Sequence, residues 1–200
     1  MKCIVGLGNP GSRYRFTRHN IGFLTMEFLI GKLGARHFES TELYECYHTI
    51  VGDTPLLLLM PQTYMNNSGE AVREIHQKHA VSFEDFLIMF DDFQLPFGTL
   101  RLRPKGSDGG HNGLASVIYQ LQSDLVPRLR IGVGGTSLPG DHTHELMAEY
   151  VLSPFAVEEE KLLPRLFQHA HDACLSWIQT DIQKTMSHYN RNFFSSANAE

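Results

Sequence analysis

Three groups of residues in this 200-residue chain have the types and spacing to do chemistry. His19 closes the segment Tyr14-Arg15-Phe16-Thr17-Arg18-His19-Asn20, just ahead of a run with helical periodicity. An imidazole titrates near neutrality and can take a proton from water. The aromatic and basic side chains before it suit unstacked bases and a phosphate backbone. With 11 histidines in the chain, residue type marks none of them, and position alone singles out His19. Asp91-Asp92 follows the apolar run Phe86 to Phe90 and arrives at its carboxyl end. Gly6-Leu7-Gly8-Asn9-Pro10-Gly11 matches the GxGxxG dinucleotide fingerprint letter for letter. That match fails on context, because the fingerprint works when the loop opens directly into a helix whose amides hold a pyrophosphate. Here Pro10 removes an amide donor, and the polar segment Ser12 to Asn20 intervenes before the helix. The glycines are read instead as backbone turn residues that present Asn9 and shape a cleft.

Histidine pairs raise a metal hydrolase as a second possibility: His142-x-His144, His169-x-His171 and His76-x-x-His79. On a helix, positions i and i+2 do not share a face. None of the sets brings the carboxylate and supporting hydrogen bonds of a catalytic zinc, so neither metal nor cofactor is expected. Cys3, Cys46 and Cys174 are too few and too scattered for a disulfide framework.

The elements that must position these groups are legible from periodicity. Lys2 to Leu7 reads as a buried strand, and Ile21 to Leu33 as a helix with Ile21, Leu24, Phe28 and Leu29 on one face. Leu43 to Val51 and Pro55 to Met60 flank Gly52-Asp53, the reversal of an antiparallel hairpin. Ser68 opens a helix to about His79, and Phe86 to Phe90 is a strand covered on both faces. A strand at Thr99 to Arg103, a glycine-rich loop at 106 to 110, a helix from Asn112 to Leu121 and a strand from Leu129 to Val133 complete the core. Residues 134 to 145 read as loop, Val157 to Thr180 and Ile182 to Asn190 as closing helices, and 195 to 200 as a frayed tail. This alternation predicts one α/β domain over residues 1 to 194, a mixed, twisted sheet flanked by helices in three layers. Ligands in such sheets bind beyond the carboxyl ends of strands, where the loops after Leu7, Phe90 and Arg103 are expected to converge.

The net charge of −5 disfavours a nucleic-acid partner, but its distribution does not. Residues 1 to 20 carry Lys2, Arg13, Arg15 and Arg18 with no carboxylate. Residues 95 to 135 carry Arg101, Arg103, Lys105, Arg128 and Arg130 against Asp108 and Asp124. The alternative reading of both stretches is an ordinary solvated face. No stretch approaches a membrane span, and the N-terminus enters a strand without the parts of a signal peptide, so a cytoplasmic protein is expected.

Four motifs stand in order along residues 1 to 135: Gly6-Leu7-Gly8-Asn9-Pro10-Gly11, Thr17-Arg18-His19-Asn20, Pro61-Gln62-Thr63-Tyr64-Met65-Asn66 and Gly109-Gly110-His111-Asn112-Gly113-Leu114, with Asp91 ahead of Leu95-Pro96-Phe97-Gly98 between the last two. Together they resemble bacterial peptidyl-tRNA hydrolase. The resemblance implies hydrolysis of the ester between a peptide and the 3'-terminal ribose of tRNA, recycling tRNA from aborted translation. By resemblance His19 is the general base, Asp91 the carboxylate that orients it, and Asn9 the residue that discriminates peptidyl from free aminoacyl substrate. Asn66, Asn112 and His111 match substrate contacts, Tyr14 and Tyr64 match tRNA contacts, and Arg103 and Arg130 match a basic pair that grips the 5'-phosphate. Arg103 stands where the family usually has lysine, which keeps the sign but alters the geometry of phosphate binding. Gly134 to Gly140 is longer and more polar than the family's usual turn. A monomer acting on peptidyl-tRNA, without a membrane or an obligatory protein partner, is the expectation. The rival from another class is an RNA-binding relative of the same fold without turnover, against which the intact Asn9, His19, Asp91 and Asn112 weigh. Residues 141 to 156 are open to a reading as a lid.

Overall fold

Cys3, Ile4 and Val5 alternate between two separate buried clusters, so the strand β1 (Lys2–Gly6) is apolar along its whole length because both its faces are covered. The computed structural model describes residues 1–135 and 143–195. In it β1 lies in an eight-stranded sheet of order β2-β3-β4-β1-β5-β7-β6-β8. The strands are β2 (Arg36–Ser40), β3 (Tyr44–Val51), β4 (Thr54–Pro61), β5 (Phe86–Pro96), β6 (Thr99–Arg103), β7 (Arg128–Gly134) and β8 (Arg191–Asn192). The centre is parallel, with β4, β1, β5 and β7 running together, and the two sides are antiparallel, which makes the sheet mixed.

The helices are α1 (Ile21–Leu33), α2 (Ser68–His79), α3 (Asn112–Leu121), α4 (His144–Val151), α5 (Val157–Gln179) and α6 (Ile182–Tyr189). One face of the sheet packs Ile4, Leu58 and Met89 against Met26 and Leu29 of α1 and Leu166 and Trp177 of α5. The other packs Val5, Leu57 and Ile88 against Val72 and Ile75 of α2 and Leu114 and Val117 of α3. The result is the expected three-layer α/β arrangement.

The bounds of α1, α2 and α3 coincide with the periodicity, and α1 stops where Gly34 takes a left-handed φ of 58°. The hairpin turns at Gly52, φ 61°. Three elements carried no sequence signal. β2 is an edge strand, largely exposed, and so lacks the apolar alternation of a covered one. β8 has two residues and exists through pairing with Thr99 and Leu100. α4 occupies part of the stretch read as loop and lid, while residues 136–142 and 196–200, which held the lengthened turn and most of the expected tail, lie outside the described residues. β5 also runs further than the apolar pattern, to Pro96, so Asp91 and Asp92 sit within a strand paired to β7 rather than beyond its end.

Candidate active site

His19 lies in a short 3-10 turn, Arg18–Asn20, that leads into α1. Its neighbour Arg18 fixes this turn from below. The guanidinium is 2 % exposed, pairs with Glu159 at 2.7 Å, donates to Ser153 Oγ at 2.8 Å and to the carbonyl of Pro154, and lies over the ring of Tyr150. The backbone N–H of Arg18 donates to Ser153 O at 3.1 Å. The basic residue nearest His19 is therefore a structural bolt to the start of α5, not a phosphate contact.

Nδ1 of His19 stands 2.7 Å from Asp91 Oδ1. Asp91 is buried, which would raise its pKa, but the imidazoles of His19 and His111 and their hydrogen bonds outweigh burial and hold it well below the usual carboxylate range. An ionised carboxylate only accepts, so Nδ1 of His19 donates, and in the neutral ring Nε2 keeps the lone pair. Burial lowers the His19 pKa, but the charge of Asp91 and its hydrogen bond prevail and raise it above the ordinary value. His111 reaches the same oxygen, Nε2 to Oδ1 at 3.1 Å, while its Nδ1 accepts the N–H of Leu114 at 3.1 Å and caps α3.

Asn9 is held by three hydrogen bonds. Its backbone N–H donates to Asn20 Oδ1 at 2.8 Å, its carbonyl accepts from Asn20 Nδ2 at 2.9 Å, and its own Oδ1 accepts the N–H of Met65 at 2.9 Å. With Oδ1 committed to a backbone donor, the amide is oriented, and its Nδ2 is the end left to donate. Of the glycines around it, Gly11 takes a positive φ of 97° as the expected turn residue, but Gly6 and Gly8 do a different job. Gly6 and Gly8 are not left-handed. A Cβ on Gly6 would meet the carbonyl oxygen of Gly22 at 2.5 Å, and one on Gly8 the Phe23 ring at 2.5 Å. They are glycine because α1 crosses the loop at close range.

Asn9, His19, Asp91, His111, Asn112, Arg103 and Arg130 line one cleft of about 660 Å³, walled by the 106–110 loop and by Met147, Ala148, Val151 and Leu152 of α4. The loops after β1 and β6 meet there as expected, with β5 between them. Tyr14, Tyr64 and Asn66 do not line it. Tyr64, 60 % exposed, and the exposed Asn66 flank Met65, whose amide fixes Asn9, and Tyr14 is half-buried in the loop before His19.

The charge pattern needs correcting. Of the first four cations, Lys2 donates to the carbonyl of Trp177 at 2.7 Å, Arg15 pairs with Glu27 and Arg18 is buried, while Arg13 is exposed and lies over the Tyr14 ring. Arg128 is also buried and spends its donors on the carbonyls of Gly106, Ser107, Asp124 and Val126, so it braces the glycine loop. Arg103, Lys105 and Arg130 remain at the cleft. Burial and the neighbouring charges of Arg101 and Arg130 lower the Arg103 pKa, as expected where cations gather without enough carboxylate. Arg130 is paired through Nε with Asp92.

His19, Asp91 and His111 also form a grouping of ligand-type atoms within 4.8 Å of one another. Both nitrogens that face Asp91 are protonated donors in this arrangement, so hydrogen bonding accounts for the grouping and no metal site is assigned.

A family model described as peptidyl-tRNA hydrolase matches residues 3–198. The chain belongs to the peptidyl-tRNA hydrolase family. It is 38 % identical over 196 residues to the peptidyl-tRNA hydrolase of Sulfurihydrogenibium sp., covering 96 % of this chain and 98 % of that one. The corresponding protein of Aquifex aeolicus is 39 % identical over 191 residues, covering 96 % and 97 %. A crystal structure of peptidyl-tRNA hydrolase from Acinetobacter baumannii superposes with a TM-score of 0.87 at 32 % identity, covering 95 % of this chain and 94 % of that one. Membership of the hydrolase family explains why the sequence motifs are spaced as they are: each supplies one wall or one brace of the same cleft. The residues that sequence reasoning left without a role are the braces Asn20, Met65 and Glu159, and Arg18, read there as part of a basic stretch, is a brace as well. Asn20, Arg18 and Met65 lay inside recognised motifs, but Glu159 is 141 residues from its partner and carried no signal.

Proposed function

We propose that this protein hydrolyses the ester joining a peptide, or an N-blocked aminoacyl group, to the 3'-terminal ribose of tRNA, and so recycles tRNA from aborted translation. The observation that carries the reading is the His19–Asp91 pair at 2.7 Å in a cleft rimmed by Arg103, Lys105 and Arg130. Water attacks the ester carbonyl while His19 Nε2 takes its proton, and Asp91 stabilises the imidazolium that forms. The tetrahedral intermediate expels the ribose oxygen, which recovers a proton from His19, leaving a peptide carboxylic acid and tRNA with a free hydroxyl. The committed orientation of Asn9 leaves its Nδ2 to donate to the substrate, where a preoriented amide discriminates a blocked from a free amino end or steadies the oxyanion. Asn112 and Asn66 serve substrate contact, Tyr14 and Tyr64 the terminal nucleotides, and Arg103 with Arg130 the 5'-phosphate. The chemistry is complete with side chains and water, so the reading requires no metal or cofactor, and it places a monomer in the cytoplasm.

The test is release of tRNA from an N-acetyl-aminoacyl-tRNA and from its unblocked equivalent, in EDTA, with His19→Ala beside the wild type. Cleavage of the blocked ester by the wild type, and a loss on the order of 10² to 10⁴-fold in the variant, is the expected result. Binding of tRNA without cleavage would move the protein to the non-catalytic RNA-binding reading, and restoration by zinc after EDTA would overturn the metal-free one.

A further inference from the structure

We infer that His111 is a positioning residue for the general base, acting by holding and tempering the Asp91 carboxylate and not by contacting tRNA. The inference rests on the roles proposed above for His19 and Asp91. It departs from the resemblance, which placed His111 among the substrate contacts.

One carboxylate oxygen carries both imidazoles: Asp91 Oδ1 lies 2.7 Å from His19 Nδ1 and 3.1 Å from His111 Nε2. The tautomer of His111 follows without any observed hydrogen. A backbone N–H can only donate, and that of Leu114 reaches His111 Nδ1 at 3.1 Å, so Nδ1 is an acceptor and the ring proton sits on Nε2, directed at Asp91. The first turn of α3 thus selects the protonation pattern of a residue in the cleft. Both ring nitrogens of His111 are spent on protein partners, which leaves none for a substrate. The ring itself is confined between Phe90, with centroids 4.6 Å apart, and His19, at 5.1 Å.

Sharing the oxygen has a consequence for the base. A carboxylate that accepts a second N–H has less electron density to offer the first, so its hold on the His19 imidazolium is weaker than that of an unshared carboxylate. That sharing keeps the His19 pKa from rising further, and it disappears when the ring is removed. Of the other charged groups at the cleft, Asp92 and Arg130 pair with each other and Arg128 is tied to loop carbonyls, leaving Arg103, Lys105 and Asp108. The residues α4 contributes, Met147, Ala148, Val151 and Leu152, are uncharged.

His111→Asn separates the two jobs. Asparagine is a favoured N-cap, so it keeps an acceptor for Leu114 N–H while its shorter side chain withdraws the donor from Asp91. The His19 imidazole is titrated by NMR in the free protein, and kcat and KM for N-acetyl-aminoacyl-tRNA are measured against pH. The expected result is an upward move of the His19 midpoint by roughly 0.5 to 1 unit, with the acid limb of kcat moving alongside it. The fall in kcat should be on the order of 10-fold or more, with KM little changed. A His19 midpoint that does not move, or a loss carried by KM alone, overturns the inference and returns His111 to substrate contact. If the wild type cleaves no ester, the hydrolase reading falls, and the titration in the free protein still decides whether His111 tempers Asp91.

Discussion

His19 is pulled two ways, since burial disfavours its cation and Asp91 favours it, and the carboxylate wins. Its pKa therefore lies above the ordinary histidine value, and because the proposed base is the neutral ring, activity should rise with pH through that elevated midpoint. Asp91→Asn keeps the shape but removes the charge. Burial then prevails and the His19 pKa falls, so the acid limb of kcat/KM should move to lower pH even as the rate drops on the order of 10- to 100-fold. A drop in rate with the limb unmoved would mean that Asp91 acts by shape alone. His19 was legible from its place ahead of a helix, but its tautomer was not, because that is set by a residue 72 positions away in sequence. The same holds for Asn9, whose orientation depends on Met65, 56 positions on.

At the scale of elements, the site depends on how closely α1 approaches β1. A Cβ on Gly22 would lie 2.3 Å from Leu7 O, 2.7 Å from Leu7 N and 2.8 Å from Met89 O, all backbone atoms that no side-chain rotation can clear. Gly22→Ala should destabilise the fold by about 2 kcal/mol or more and weaken catalysis, because the helix that must shift carries His19 and Asn20 at its entry. Gly31, in the last turns of the same helix, is exposed and has nothing within 4 Å of its Cβ position. Gly31→Ala should stabilise by roughly 0.5 to 1 kcal/mol through helix propensity alone. Urea unfolding of both variants checks the contrast, and similar effects at the two positions would refute it. Periodicity located α1 well because its apolar face is dense, but it could not show that one glycine is a contact and the other spare. β2 and α4 escaped for a related reason: their exposed faces dilute the pattern on which the reading depends.

Across the whole molecule, charge sorts into what is free and what is spent. Arg103→Ala with Arg130→Ala should weaken tRNA binding and flatten its dependence on salt by about one to two counterions, the share of Arg130 being reduced because its Nε is paired with Asp92. Lys2→Ala should leave both unchanged, since Lys2 is bonded to the Trp177 carbonyl. Binding isotherms at several salt concentrations test the pair of outcomes, and an equal loss from Lys2→Ala would mean that the basic surface is diffuse. No helix among the described residues is long and apolar enough to cross a membrane, in keeping with the absence of a long apolar run in the chain. By itself the sequence determined the order and type of the covered elements, the three-layer class and the family resemblance, because apolar periodicity and short motifs are local properties. Only the tertiary structure decided which cations are available, which glycines are contacts, how Asn9 and His111 are oriented, and that Asp91 serves two imidazoles. Those depend on partners brought together from distant parts of the chain, where burial and hydrogen bonding, not composition, set the chemistry.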